Sequence, residues 1–198
     1  MKKRDIIACL IAGELIALLS FGIFKNFGIE QKALYWMLPV FTPIFCLFCL
    51  YVAFILKKRI PIIWQFAKFI LIGVLNTVID LGILNLLMYE FSAFSGLFFS
   101  IFKGISFLGA TTNSYFWNKF WTFNSKKRIH KKEFSQFFFI SGAGFLINIG
   151  TATIIVNAIG PQFGLSSKIW ANFGAVVASF VGMSWNFLGY KLWVFKKK

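Results

Sequence analysis

The sequence predicts an all-α integral membrane protein: six transmembrane helices, made of an N-terminal hairpin and a four-helix domain of two parallel two-helix repeats. Three observations carry this. The 198 residues are 59% hydrophobic and only 14% charged, with 28 phenylalanines, against about 45–50% apolar and about 25% charged in ordinary soluble domains. The apolar residues fall into stretches of about 20, the length that crosses a roughly 30 Å hydrocarbon core. Finally, 21 Lys and Arg against 6 Asp and Glu stand mostly in short runs between those stretches. A domain that tracks nucleic acid needs its cations on a solvated face, so these are read as membrane-flanking charge and no nucleic-acid partner is expected.

The spans are expected at about 6–24, 34–56, 63–89, 97–118, 134–157 and 166–190. The hydrophilic connections between them are too short for a nucleotide-binding or glycosyltransferase domain, which takes on the order of 100 residues or more. The cations then set orientation. Lys2, Lys3 and Arg4 precede the first span; Lys57, Lys58 and Arg59 follow the second; Lys126, Lys127, Arg128, Lys131 and Lys132 separate the fourth from the fifth; Lys196, Lys197 and Lys198 close the chain. All four runs fall on one side, so both termini are expected in the cytoplasm, in a multi-pass protein of the cytoplasmic membrane. A cleaved signal peptide is the rival reading of residues 1–24. Glu14 interrupts its apolar run, and Phe21-Gly22-Ile23-Phe24-Lys25 is no small-x-small cleavage site, so the segment is expected to be retained.

Cys46 and Cys49 form a C-x-x-C within the second span, with Cys9 in the first and His130 far away in a loop. A zinc or redox site needs an accessible thiolate and further ligands; buried, inert thiols are expected, with no metal and no cofactor.

An internal repeat organises the rest. Phe66, Phe69, Ile72 and Gly82 fall on Phe134, Phe137, Ile140 and Gly150 at an offset of 68, and Asp80 falls on Asn148. At the ends of the following spans, Lys119-Phe120-Trp121-Thr122-Phe123 matches Lys191-Leu192-Trp193-Val194-Phe195 at an offset of 72. Each copy (about 63–125 and 133–198) holds two spans, an even number, so both enter from the same side and are related by an axis along the membrane normal. The expected organisation is therefore a hairpin over 1–60, read as an appended element with Pro39 and Pro43 near the start of its second helix, followed by the four-helix domain over 61–198.

Each repeat helix carries a polar stripe at helical spacing: Gly73, Asn76, Thr77 and Asp80; Lys103, Ser106, Ala110 and Asn113; Ser141, Gly144, Asn148 and Thr151; Ala175, Ser179, Gly182 and Asn186. Small residues let helices approach, and amides bond across the contact, so packing explains most of these positions. Asp80 and Lys103 are different, because a charge deep in a bilayer costs about 2.5–3.5 kcal/mol or more on insertion scales and needs a partner or a watery cavity. At 1.5 Å per residue they lie at similar depths, roughly 13 Å and 9 Å below the outer ends of their helices, so they are expected to pair, as a structural ion pair or as a headgroup gate. Glu14 has no candidate cation at its depth. A second group sits at the helix ends: Asn118, Lys119, Trp121 and Phe123 in one copy, Tyr190, Lys191, Trp193 and Phe195 in the other. Aromatic belts and snorkelling lysines are common at interfaces, but here they occur twice in register.

The run from Phe66 to Thr77, then Asp80, and the two K-x-W-[TV]-F endings resemble the GtrA-like family of small membrane proteins, over about residues 64–196. The resemblance implies a non-enzymatic translocator of polyprenyl-phosphate-linked sugars that supplies glycosyltransferases decorating surface polysaccharide or teichoic acid. On that footing Lys68, Lys119 and Lys191 are expected to meet phosphate on the cytoplasmic side, and Lys103 or Lys168 on the outer side. Trp117, Trp121, Trp185 and Tyr190 are expected to stack on sugar and the Phe-rich outer faces to hold the prenyl tail, with Asn76, Asp80, Asn113, Asn118, Asn186 and Trp193 completing the path. The expected partners are the lipid-linked sugar, membrane lipids, a membrane glycosyltransferase and further copies of the chain. The alternatives are a non-transporting scaffold for a glycosyltransferase and a small exporter of cations, which the basic ring of headgroup-level lysines disfavours.

Overall fold

The computed structural model describes residues 1–26, 32–91, 96–125, 128, 130–164 and 167–196. Six α-helices follow one another: α1 (Lys3–Asn26), α2 (Lys32–Leu56), α3 (Ile62–Glu90), α4 (Gly96–Trp117), α5 (Lys131–Thr153) and α6 (Ser167–Gly189). Their order and approximate bounds are those that hydropathy predicts. Backbone groups in hydrocarbon must be satisfied within the segment, which helices achieve. Among the described residues, Tyr35–Leu56, Ile62–Glu90 and Lys131–Thr151 are long and apolar enough to cross a membrane. The chain is a membrane protein, and its large exposed side chains are correspondingly apolar: Trp36, Phe41 and Phe48 on α2 and Phe139 and Leu146 on α5.

Three helices end or continue in wide turns. Asn118–Thr122, Ile154–Ile159 and Tyr190–Val194 are π-helical. The Phe123 amide donates to the Asn118 carbonyl at 2.8 Å and the Phe195 amide to the Tyr190 carbonyl at 2.8 Å. Both bonds span five residues and close carbonyls that a helix end otherwise leaves open. Pro61 stands immediately before α3 with φ −58°, where its missing N–H costs nothing.

The chain forms two compact units, Met1–Lys126 and Lys127–Lys198. In the first, α1 packs on both α2 and α3, and α3 packs on α4. Cys9, Ala12, Ile16, Leu50, Ile72, Leu75 and Trp121 make its core. The N-terminal hairpin, set apart by the repeat pattern, is thus integral to this unit's packing. Pro43 seats against Gly13, where an added Cβ would stand 2.6 Å from Pro43 Cα. α2 runs as one helix through Pro39 and Pro43, so the absent side chain at Gly13 is what lets the two backbones meet. Cys9 is buried, Cys46 half-buried and Cys49 exposed on the outer face of α2, all three as free thiols.

In the second unit α5 and α6 approach closely through small residues. A Cβ on Gly182 would lie 3.0 Å from the Gly144 carbonyl oxygen, and one on Gly189 would lie 2.6 Å from Ile140 Cγ2. Close backbone approach of this kind is how apolar helices gain packing energy where no hydrophobic effect drives them together. The contact explains the stripe residues Gly144 and Gly182.

Candidate functional site: a buried ion pair and an intramembrane polar seam

Asp5 lies in the first turn of α1, where a carboxylate is favoured by the helix dipole, and Lys68 lies two turns into α3. The Lys68 ammonium donates to Asp5 Oδ1, and both side chains are 5% exposed. The Trp121 indole N–H donates to the same oxygen at 3.1 Å. Lys68 Nζ also sits 4.5 Å from the Trp64 ring centroid and 5.2 Å from that of Trp121, positions at which a ring face attracts a cation. Burial pushes the Asp5 carboxyl up, but the hydrogen bond and charge of Lys68, with the Trp121 indole and Arg4 behind them, leave it below the ordinary carboxylate range. The start of α1, the start of α3 and the turn that follows α4 therefore meet at one end of the first unit.

This centre alters one expectation. Lys68 was expected to offer a free cation to phosphate; its charge is already answered by Asp5, a residue that spacing did not bring into view. The signal was faint but present: with 6 acidic residues in the chain, one directly following Lys2-Lys3-Arg4 at the mouth of an apolar helix needs a cation partner.

Deeper, α3 and α4 share a polar seam. Asn113 Nδ2 donates to Asn76 Oδ1 at 2.7 Å, and Ser106 Oγ donates to Asp80 Oδ1 at 2.7 Å. Ser106 is fully buried and Asp80 half-buried. Thr77 turns outward and bonds back to the Gly73 carbonyl at 3.0 Å, so the predicted stripe divides into an inward pair and an exposed edge. The side chains of Lys103 and Lys168, and with them the expected Asp80–Lys103 pair, lie outside the described residues.

The two K-x-W endings share a backbone and differ in burial. In the first, Asn118, Lys119, Trp121 and Thr122 are all buried. Lys119 is 0% exposed, with Nζ 5.7 Å from the Tyr115 ring centroid, and Asn118 Nδ2 donates to the Ser114 carbonyl at 2.9 Å. Lys119 was expected as a surface cation; the packing of the first unit around this turn instead buries positions 118, 119, 121 and 122 and leaves Phe120 outside. In the second ending Lys191 is half-buried, 5.7 Å from the Phe187 centroid, and Trp193 is 66% exposed. Tyr190 is buried, its hydroxyl 2.7 Å from Ser141 Oγ and its ring stacked 4.0 Å from Phe137. Trp185 donates its indole N–H to the Ile140 carbonyl at 3.2 Å, and Asn186 presses its amide against Gly144. Among the described residues no three His, Cys, Asp or Glu side chains gather as a metal site.

Comparison with known proteins gives the family. The family described as GtrA/DPMS, transmembrane domain, matches residues 68–195, from the Lys68 of the ion pair to the Phe195 that closes the last π turn. The chain is 30% identical over 149 residues, 71% of its own length and 83% of the relative's, to the uncharacterized membrane protein YngA of Bacillus subtilis (strain 168). No solved structure matches it.

Proposed function

The chain belongs to the GtrA/DPMS transmembrane-domain family, and from that premise we propose that it carries a polyprenyl-phosphate-linked sugar across the cytoplasmic membrane, without catalysis, for glycosylation of a cell-surface polymer. The observation that carries this reading is the seam of Asn76, Asp80, Ser106 and Asn113 inside helices that are otherwise apolar. A sugar hydroxyl entering hydrocarbon without partners costs several kcal/mol, and a path of amides, a hydroxyl and a carboxylate lowers that cost at successive depths. Lys103 on α4, Trp185, Asn186, Tyr190, Lys191 and Trp193 extend the same chemistry in this reading. A two-helix repeat, supported by the π-helical endings Asn118–Thr122 and Tyr190–Val194, and an orientation with both termini cytoplasmic belong to this reading. Further copies of the chain would enclose a headgroup that a single four-helix domain cannot surround.

The test is headgroup accessibility in proteoliposomes loaded with polyprenyl-phosphate sugars. Protein-dependent movement of the headgroup between leaflets, abolished in Asn76→Leu with Asp80→Leu, is the expected result. Equal movement in that variant and the wild type overturns the reading. The scaffold alternative draws on the closed geometry of the Asn76–Asn113 and Ser106–Asp80 pairs, which already satisfy each other. It expects no movement from the purified protein, and glycosyltransferase activity that follows complex formation.

A further inference from the structure

Arg4 precedes the buried Asp5 and lies outside the residues matched to the family. It is exposed and donates Nη1 to Asn124 Oδ1 at 3.1 Å. Beside it lies an open pocket of about 310 Å3 lined by Arg4, Ala8, Phe116, Trp117, Phe120 and Trp121. Trp117 meets Trp121 edge-on, with ring centroids 5.7 Å apart. Phe116 and Phe120 stack in parallel at 6.3 Å and are 40% and 50% exposed, which makes an apolar strip leading from the pocket along the outer face of α4.

We propose that this pocket docks the phosphate-bearing headgroup of a membrane lipid, with the phosphate on Arg4 and the hydrocarbon chain along Phe116 and Phe120. Charge complementarity selects an anion. A guanidinium has five N–H donors and can grip phosphate through two of them, and Asn124 takes up one nitrogen. Lys2 and Lys3 adjoin Arg4 in the chain, and the carboxylate that follows it, Asp5, is paired with Lys68. The lining selects a lipid over free phosphate, because a lone inorganic anion in a largely aromatic pocket would leave most of its oxygens without donors, whereas a tethered headgroup keeps them in the interfacial water. The inference deepens the proposed function by assigning α1, which lies before the residues matched to the family, a part in headgroup docking, and it rests on that reading for the chemistry of the lipid.

The experiment is native mass spectrometry of the full chain in detergent, with undecaprenyl phosphate, undecaprenol and inorganic phosphate as probes. Wild type is expected to retain the phosphorylated lipid over the alcohol by about tenfold or more, the scale of a charge-assisted hydrogen bond, and excess inorganic phosphate should not displace it. Arg4→Gln should lose that preference, Arg4→Lys should keep part of it, and Arg59→Gln should keep all of it. Asn124 has φ +49°, which glycine adopts without strain, so Asn124→Gly removes the Arg4 bond without distorting the backbone and should keep the preference. Loss of preference in Asn124→Gly equal to that in Arg4→Gln would make Arg4 structural and overturn the pocket. An unchanged Arg4→Gln also overturns it, while a wild type that still discriminates leaves the translocator reading standing. A wild type that binds lipid phosphate and alcohol alike sinks both, and displacement by inorganic phosphate replaces the lipid site with a free-anion site.

Discussion

Asp5 and Lys68, 63 residues apart, form a buried ion pair that ties the first turn of α1 to α3, with the Trp121 indole as a second donor to the same carboxylate oxygen. The pair bridges the N-terminal hairpin and the first residue matched to the family.

Removing one partner should therefore be more harmful than removing both. A stranded buried charge commonly costs about 3–5 kcal/mol, whereas apolar replacement of a pair is often near neutral. Lys68→Met alone should lower the melting temperature in detergent sharply, and Asp5→Leu with Lys68→Met should recover most of it. A double variant no more stable than Lys68→Met would mean that the pair does not account for the loss.

The same pair sets a pH dependence. Because the Asp5 carboxyl is held below its ordinary value in the folded protein, its contribution is complete above the unfolded value of about 3.9 and is lost as pH falls through the lower folded value. Melting curves from pH 6 down to pH 2 should show wild type losing stability through that acid window relative to Asp5→Asn, whose side chain does not titrate. Parallel curves would remove Asp5 as the source.

Two glycines at different places should respond in opposite ways to one added methyl. At Gly13 the new Cβ would meet the Pro43 backbone at 2.6 Å, whereas at Gly82 nothing lies within 4 Å. Gly13→Ala should cost about 1–3 kcal/mol through overpacking. Gly82→Ala should be neutral or stabilise by up to about 1 kcal/mol, through the higher helix propensity of alanine. Equal effects at the two sites would mean that the α1–α2 approach is not tight at Gly13.

Orientation is open to direct labelling. In a background lacking Cys9, Cys46 and Cys49, cysteine at Gln162 should react with an impermeant thiol reagent from outside the cell, and cysteine at Arg128 should react only after the membrane is opened. The reverse pattern would invert the charge-based topology.

The number, order and approximate ends of the helices were legible in the sequence, because span length, mean hydropathy and the flanking of spans by Lys and Arg are properties of neighbouring residues. The stripes were legible too, since a 3.6-residue period puts Asn76 and Asp80 on one face, and Ser106 and Asn113 on another, before any contact is known. Which residues met across those faces was a matter for the tertiary structure. Asp5 reaches Lys68 and Trp121 only because α1 lies against α3 and the end of α4, and no local rule links positions 63 and 116 residues apart. Likewise, Lys119 is buried while Lys191 is half-exposed, although both occupy the same position in a repeated motif. Each motif specifies its backbone turn, and the helices packed around that turn decide whether its lysine meets protein or surroundings.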